Sequence, residues 1–349
     1  MLYSLPIETK LDIFKCLSYK ELCSISLTNF YLHDFISNIE GKLAREKLNC
    51  ISIKDFIRVK KNPHKLIKPT AENFNFSLNE ELEEKFKNGP ETPIPLYLPE
   101  HDLNKYNVIC LSTVSGIGYN ILLKFPTIIK SNEDITIVYY YLNKLFNCSF
   151  ENGEFKEFIF NPELIQLLFG NARIPKQVYI NNECSLSITK HNIENLFQFT
   201  SNNLVSKTLH CFLRLETNVM AKYIDDLFKF LTNGGDNFEV VEMKFYTSTG
   251  RLDHAINVSM LYDYIGKYIA ISRDCSKIVP VIMVYYLSST RLQLNDKAEK
   301  VEIKHLNGNR YTEFQIANVY DPKVKFSFLI GEMNGNGSTF YIQIEKMKD

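Results

Sequence analysis

Apolar side chains in the first fifty residues recur at helical spacing. Ile7, Leu11, Ile13 and Phe14 form a stripe behind Pro6, whose fixed φ and missing N–H suit the first turn of a helix. Ser4 is placed to cap that helix, and Glu8 to sit near its positive end. Ser18 then caps a second helix over 19–27, with Leu22, Ile25 and Ser26 facing inward. A third helix is predicted from Thr28 toward Leu48, with Tyr31, Leu32, Phe35, Ile36, Ile39, Leu43 and Leu48 as its apolar positions. Three helices this short bury little surface by themselves. The pattern therefore predicts a docking module, the competing expectation being a helical cap on the rest of the fold.

The pattern changes after residue 49. Lys54, Arg58, Lys60, Lys61, Lys65 and Lys68 make residues 50–68 basic, and this stretch reads as a solvated connector rather than a phosphate-binding patch. The acidic run Glu80, Glu81, Glu83, Glu84 follows and is placed to pair with it. Residues 88–99 are Pro-rich and read as an extended loop.

Strands and helices then alternate. Strands are predicted at 106–111, 119–125, 157–160, 177–180, 208–215, 240–246, 279–287, 300–305, 311–319, 325–330 and 340–344. Helices are predicted at 131–146, 162–169, about 189–203, 218–232 and 257–272. Asn233, Gly234 and Gly235 suit a helix stop. Successive strand starts at 177, 208, 240 and 279 are about 31, 32 and 39 residues apart, a period that predicts an irregular leucine-rich-repeat-like βα solenoid. The LxxLxLxxN signature is absent, and the same alternation also builds an open mixed sheet. The fold class is α/β, with a helical module at 1–48, a connector at 49–99 and a βα recognition domain at 100–349.

Composition narrows the function. Forty Lys+Arg balance forty Asp+Glu, so wholesale nucleic-acid binding is not expected. The longest apolar run, about Val279 to Leu287, is half what a membrane-spanning helix needs. No secretory signal is read at the N-terminus, so a cytoplasmic or nuclear location is expected. Eight Cys are scattered singly without a CxxC and read as small buried apolar residues, not as disulfides or metal ligands.

Little in the chain suggests catalysis. The GxG at Gly116 and Gly118 lacks a third glycine and reads as a turn. No His pair has metal-ligating helical spacing, and adjacent His210 and Cys211 point to opposite faces of a strand. Asp225 with Asp226 reads as solvated helix surface, and 273–275 as a helix end with a local ion pair. No catalytic residue, metal or cofactor is expected.

The N-terminal residues resemble a family. Leu5-Pro6-x-Glu8, then Leu11, Ile13, Leu17, Leu22, Ser26-Leu27 and the aromatic helix after Thr28 look like an F-box over about residues 3–45. Tyr31 stands where many F-boxes carry Trp, and Asp34 where an apolar residue is common. The resemblance implies a three-helix F-box that docks on Skp1, the adaptor to a cullin scaffold. It would place Leu5, Pro6, Ile13, Leu17 and Leu22 at or near that interface. Phrases at 92–99, 134–143 and 319–328 resemble the expanded F-box proteins of nematodes, root-knot types in particular. The implied function is the substrate-recognition adaptor of an SCF-type ubiquitin ligase, non-enzymatic, with an unnamed protein target. The alternative is a protein-binding solenoid with no ligase role.

Overall fold

A computed structural model describes residues 4–39, 43–70, 80–86, 90, 92–99, 106–112, 120–172, 176–189, 192–214, 217–246, 258–287, 292–333 and 338–348. The elements in chain order are α1 (Ile7–Lys15), α2 (Tyr19–Ser26), α3 (Phe30–Ile39), β1 (Glu46–Asp55), α4 (Phe56–Val59), β2 (His64–Ile67), α5 (Glu80–Lys85), β3 (Ile94–Pro95), β4 (Tyr97–Leu98), β5 (Asn107–Ser112), β6 (Asn120–Leu123) and β7 (Ile128–Ile129). They continue with α6 (Asn132–Phe146), β8 (Cys148–Phe155), β9 (Ile159–Phe160), α7 (Pro162–Phe169), β10 (Val178–Thr189), α8 (Ile193–Asn203), β11 (Leu204–Arg214), α9 (Thr217–Asn233), β12 (Phe238–Phe245) and α10 (Val258–Ile271). Five strands close the chain: β13 (Val281–Tyr285), β14 (Glu299–Leu306), β15 (Asn309–Ala317), β16 (Lys325–Met333) and β17 (Thr339–Lys346). Two compact units result, one of Met1–Leu96, Leu103–Glu151 and Glu163–Asn181, the other of Tyr97–Asp102, Asn152–Pro162 and Asn182–Asp349.

In the first unit the expected connector is built into a sheet. Alternating Ile51 and Ile53 lie buried in β1, which pairs antiparallel with β5 from Cys50↔Ser112 to Asp55↔Asn107. β6 pairs antiparallel with β5, and β2 runs parallel to β6. Val108, Cys110 and Leu122 form a core under Phe56, Val59 and Leu66. The basic side chains Arg58, Lys60, Lys61, Lys65 and Lys68 are exposed, so the charges are solvated although the backbone between them is structured. The third helix ends at Ile39, and Leu48 belongs to β1. The long helix α6 matches its expected span. Ser131 and Asp134 close a capping box, and Ile135, Val138, Leu142 and Leu145 are buried. α7 packs on it through Phe169, whose ring stacks on Tyr139 at 4.9 Å and meets Phe146 edge-on at 5.6 Å.

The second unit holds the βα alternation. β11 and β12 run parallel, as do β12 and β13, with α9 and α10 as the crossovers. β13 then pairs antiparallel with β17, and β17, β16, β15 and β14 continue as antiparallel neighbours. This is a mixed sheet, and a leucine-rich-repeat-like solenoid is not what it forms. Stacked repeats would keep every new strand parallel to the last, whereas here parallel pairing stops at β13. One face is apolar and buried, with Leu209, Cys211 and Leu213 in β11 and Val241, Met243 and Phe245 in β12. α10 covers part of it with Leu261, Tyr262, Ile265 and Ile269. Asn318 caps α10, its Nδ2 donating to the carbonyls of Ile269 (2.7 Å) and Ser272 (2.8 Å). The expected ion pair at 273–275 is not how that end is held. Asp274 Oδ1 accepts from the Ser276 N–H at 2.8 Å, and the Arg273 guanidinium lies 5.7 Å from the Tyr320 ring.

Candidate protein-docking surface

The three N-terminal helices begin and end on identifiable chemistry. Pro6 precedes α1 with ψ 154°, and its carbonyl accepts the Lys10 N–H at 3.0 Å. Ser18 caps α2 in a full capping box: Glu21 N–H donates to Ser18 Oγ, and the Glu21 carboxylate accepts from the Ser18 N–H at 2.8 Å. The Ser18 hydroxyl, with its N–H, holds the Glu21 carboxyl below the ordinary glutamate range. Asn29, not Thr28, opens α3, its Oδ1 accepting from the Leu32 N–H at 2.9 Å. Thr28 instead donates its hydroxyl to the Ile25 carbonyl.

Phe14, Leu22, Leu32, Ile36 and Leu43 form the core of the three helices, with Leu11, Leu17, Ile25, Phe35 and Ile39 packed around them. The Phe14 and Phe35 rings lie 5.5 Å apart. Lys10 is buried to 4% exposure and donates to the Tyr31 hydroxyl. A cavity of about 180 Å³ lies among Tyr19, Leu22, Cys23, Ser26, His33 and Ile36.

A second set of apolar side chains has no cover of this kind. Leu27 is 85% exposed, Phe30 84% and Ile7 65%, and Ile13 is also exposed. The sequence pattern puts Ile7 in the inward stripe, yet it is the first residue of α1 and stands exposed, and the buried positions of that helix are Lys10 and Phe14. Leu27 and Phe30 are missed by that pattern. The available signal is phase, because the core of α3 follows 32, 35, 36 and 39, and Phe30 falls outside that series.

The five residues expected at a partner interface divide by burial. Pro6 and Ile13 are exposed, and Leu5 and Leu17 are half-buried. Leu22, at 3% exposure, belongs to the helices' own core and supports the surface from beneath.

Elsewhere the chemistry is sparse. His210 Nδ1 lies 2.9 Å from the Glu242 carboxylate and Nε2 3.7 Å from that of Glu183. Glu242 also pairs with Lys244, whose ammonium stands over the Phe212 and Tyr285 rings. Cys211 points to the opposite, buried face, where burial and then the Glu242 charge push its thiol up to about 12. All eight cysteines are free. Among the described residues no group of His, Cys, Asp and Glu is disposed to hold a metal ion. Asp226 is 4.0 Å from Lys229 on the α9 surface. The GxG at 116–118, His101, His191 and His254 lie outside the described residues.

Residues 2–42 match the family model of the F-box domain, and residues 67–214 match that of a domain of unknown function, DUF8381. No curated protein and no solved structure matches the chain. An F-box suggests Skp1 binding in SCF-type ubiquitin ligases, and F-box proteins are generally adaptors rather than enzymes.

Proposed function

We propose, on the premise that residues 2–42 are an F-box, that this chain is the substrate-recognition adaptor of an SCF-type ubiquitin ligase. The observation that carries the reading is the uncovered apolar surface of α1 to α3, concentrated between Ile7 and Phe30 on helices that also bury a core of their own. A Skp1-like adaptor docks there, and the cullin is reached through it. Leu5, Pro6, Ile13 and Leu17 make the contact, joined by Ile7, and Leu22 holds the helices in register beneath them. This is recognition by packing of helices against a partner's apolar groove.

The α/β region beyond the docking module holds the protein target. The chain needs no cofactor for this, because holding a target beside a ubiquitin-conjugating enzyme raises the effective concentration of target lysines. The site of action is cytoplasmic, nuclear or both. Among the described residues no helix is long and apolar enough to cross a membrane.

Affinity capture tests the reading. The Leu5→Ala/Pro6→Ala double variant is expected to bind the Skp1-like adaptor at least about 30-fold more weakly, since interface hot spots are each worth about 2 kcal/mol. Unchanged co-purification would remove these residues from the interface. A folded wild-type chain that captures neither adaptor nor cullin would mark a binding module without a ligase role.

A further inference from the structure

The last β-hairpin presents an edge that the docking module leaves unused. β14 stands at the end of the sheet order, and among the described residues no strand pairs with its outer side. All eight of its residues are exposed. It returns into β15 through a two-residue turn, with Asn307 at φ 50° and Gly308 at φ 76°. In such a hairpin the flanking residues Leu306 and Asn309 form a hydrogen-bonded pair. Alternation from that pair turns the N–H and C=O of Ile303 and His305 outward.

The side chains divide by face. Ile303 is paired with Thr312, and with Val301 it walls a cleft of about 500 Å³ whose floor carries the Arg310–Glu332 ion pair at 3.4 Å. Ile303 is 52% exposed, and Val301 and Leu294 are exposed beside it. Glu302 and Lys304 lie on the other face, where Lys304 is 3.4 Å from Glu302 and 2.7 Å from Glu313. An edge strand is normally protected by charge on its apolar side. Here the charges and the apolar residues are segregated.

The geometry points to self-association of two copies of this chain through β14, antiparallel, with the twofold axis at Ile303. Outward-facing residues must meet outward-facing residues, which leaves only registers that pair odd positions with odd positions. With the axis at Ile303, Ile303 meets its own copy, Val301 meets the partner's His305, and Glu302 lies opposite the partner's Lys304 twice over. Moving the axis to Lys304 sets Lys304 against Lys304, and moving it to Glu302 sets Glu302 against Glu302. Like charges directly opposite oppose pairing, whereas opposite charges favour it. The charge pattern therefore selects one register. The bulge between Glu299 and Glu302, with Lys300 at φ 52°, ends the regular edge at Glu302, so Val301 lies at the margin of that five-residue overlap. The apolar strips of both copies join along the cleft, forming an isologous interface.

Sedimentation equilibrium of the full chain tests this. Wild type is expected at twice its 40.6 kDa chain mass, and Ile303→Asp at the chain mass with an unchanged melting temperature. Glu302→Lys alone or Lys304→Glu alone should weaken association about tenfold, and the double variant should restore it to within about threefold. A wild-type chain still monomeric at about 50 μM overturns the proposal. So does a charge swap that fails to restore association. Loss of Skp1-like adaptor binding in Ile303→Asp, with self-association intact, would assign the edge to that adaptor and likewise overturn it.

Discussion

The ammonium of Lys10, on α1, donates to the hydroxyl of Tyr31, on α3, across 2.6 Å. The same ammonium lies 5.2 Å from the centre of the Tyr31 ring and 5.9 Å from that of Phe35. Tyr31 and Phe35 are stacked, 6.3 Å apart. A buried lysine is costly unless its charge is met by acceptors or aromatic faces, and here one tyrosine supplies both. Tyrosine suits this position because an indole N–H cannot accept from an ammonium.

Tyr31 substitutions should separate those two contributions. Tyr31→Phe keeps the ring and removes the acceptor, so a loss of about 1 kcal/mol is expected. Tyr31→Ala removes the ring as well and should cost about 2–3 kcal/mol. Urea unfolding of both variants, read at the N-terminal helices by hydrogen exchange, checks the order. Equal losses would show that the hydroxyl, not the ring, holds the lysine.

Burial separates docking residues from supporting ones on the same helices. Ile13→Asp places a charge on an exposed position and should weaken adaptor binding at least about tenfold, with stability nearly unchanged. Leu22→Ala opens a cavity in the core and should cost about 2–5 kcal/mol of stability. Its effect on binding should follow the fraction folded. Titration of the adaptor at a temperature where both variants are fully folded distinguishes them. Full-strength binding by Ile13→Asp would remove α1's outer face from the interface.

Much of this was legible in the residues, and the rest failed for identifiable reasons. The span of α6 was readable because Ser131 caps it and its apolar positions keep one phase. The strand and helix order from β11 to β17 was readable from alternation and stop signals. Strand partners were not, since a βα period is the same for a solenoid and an open sheet. β1 hid behind its flanking lysines although Ile51 and Ile53 alternate with polar residues. β8 hid behind Asn152-Gly153, a pair that reads as a turn but lies inside the strand. On the docking helices, the core stripe was legible, whereas the exposure of Phe30 shows only as a break in phase with 32, 35, 36 and 39, and Leu27 lies at the C-cap of α2, outside any helical stripe.

The capping box of α2 predicts a pH response. The Glu21 carboxyl is lowered from 4.5 by the Ser18 hydroxyl and N–H. A lowered folded-state pKa contributes stability that is present above the unfolded value and is lost as pH falls through the folded one. Loss of the N-cap hydroxyl in Ser18→Ala should cost about 1 kcal/mol near neutral pH. It should also flatten the fall in stability below about pH 4.5. Thermal unfolding of α2 between neutral and acid pH measures both effects. An unchanged acid slope would show that the Glu21 carboxylate is not tied to folding.

Gly235 closes α9 for a reason different from the usual left-handed cap. The helix ends at Asn233 and tightens into a 3₁₀ turn over Gly234–Asp236. The Gly235 N–H donates to the Lys277 carbonyl at 2.8 Å, drawing the turn against the segment that leads into β13. A Cβ at Gly235 would stand 2.5 Å from the Ile278 carbonyl oxygen and 2.9 Å from that of Lys277. Both obstacles are backbone, so neither can rotate away. Gly235→Ala should destabilise the second unit by at least about 1–3 kcal/mol, the cost of overpacking. Gly308→Ala meets nothing within 4 Å, but its φ of +76° gives it a smaller strain of about 1 kcal/mol. Comparing the denaturant midpoints of the two variants checks the order, and a larger loss at Gly308 would show that the turn, not the contact with Lys277 and Ile278, limits stability there.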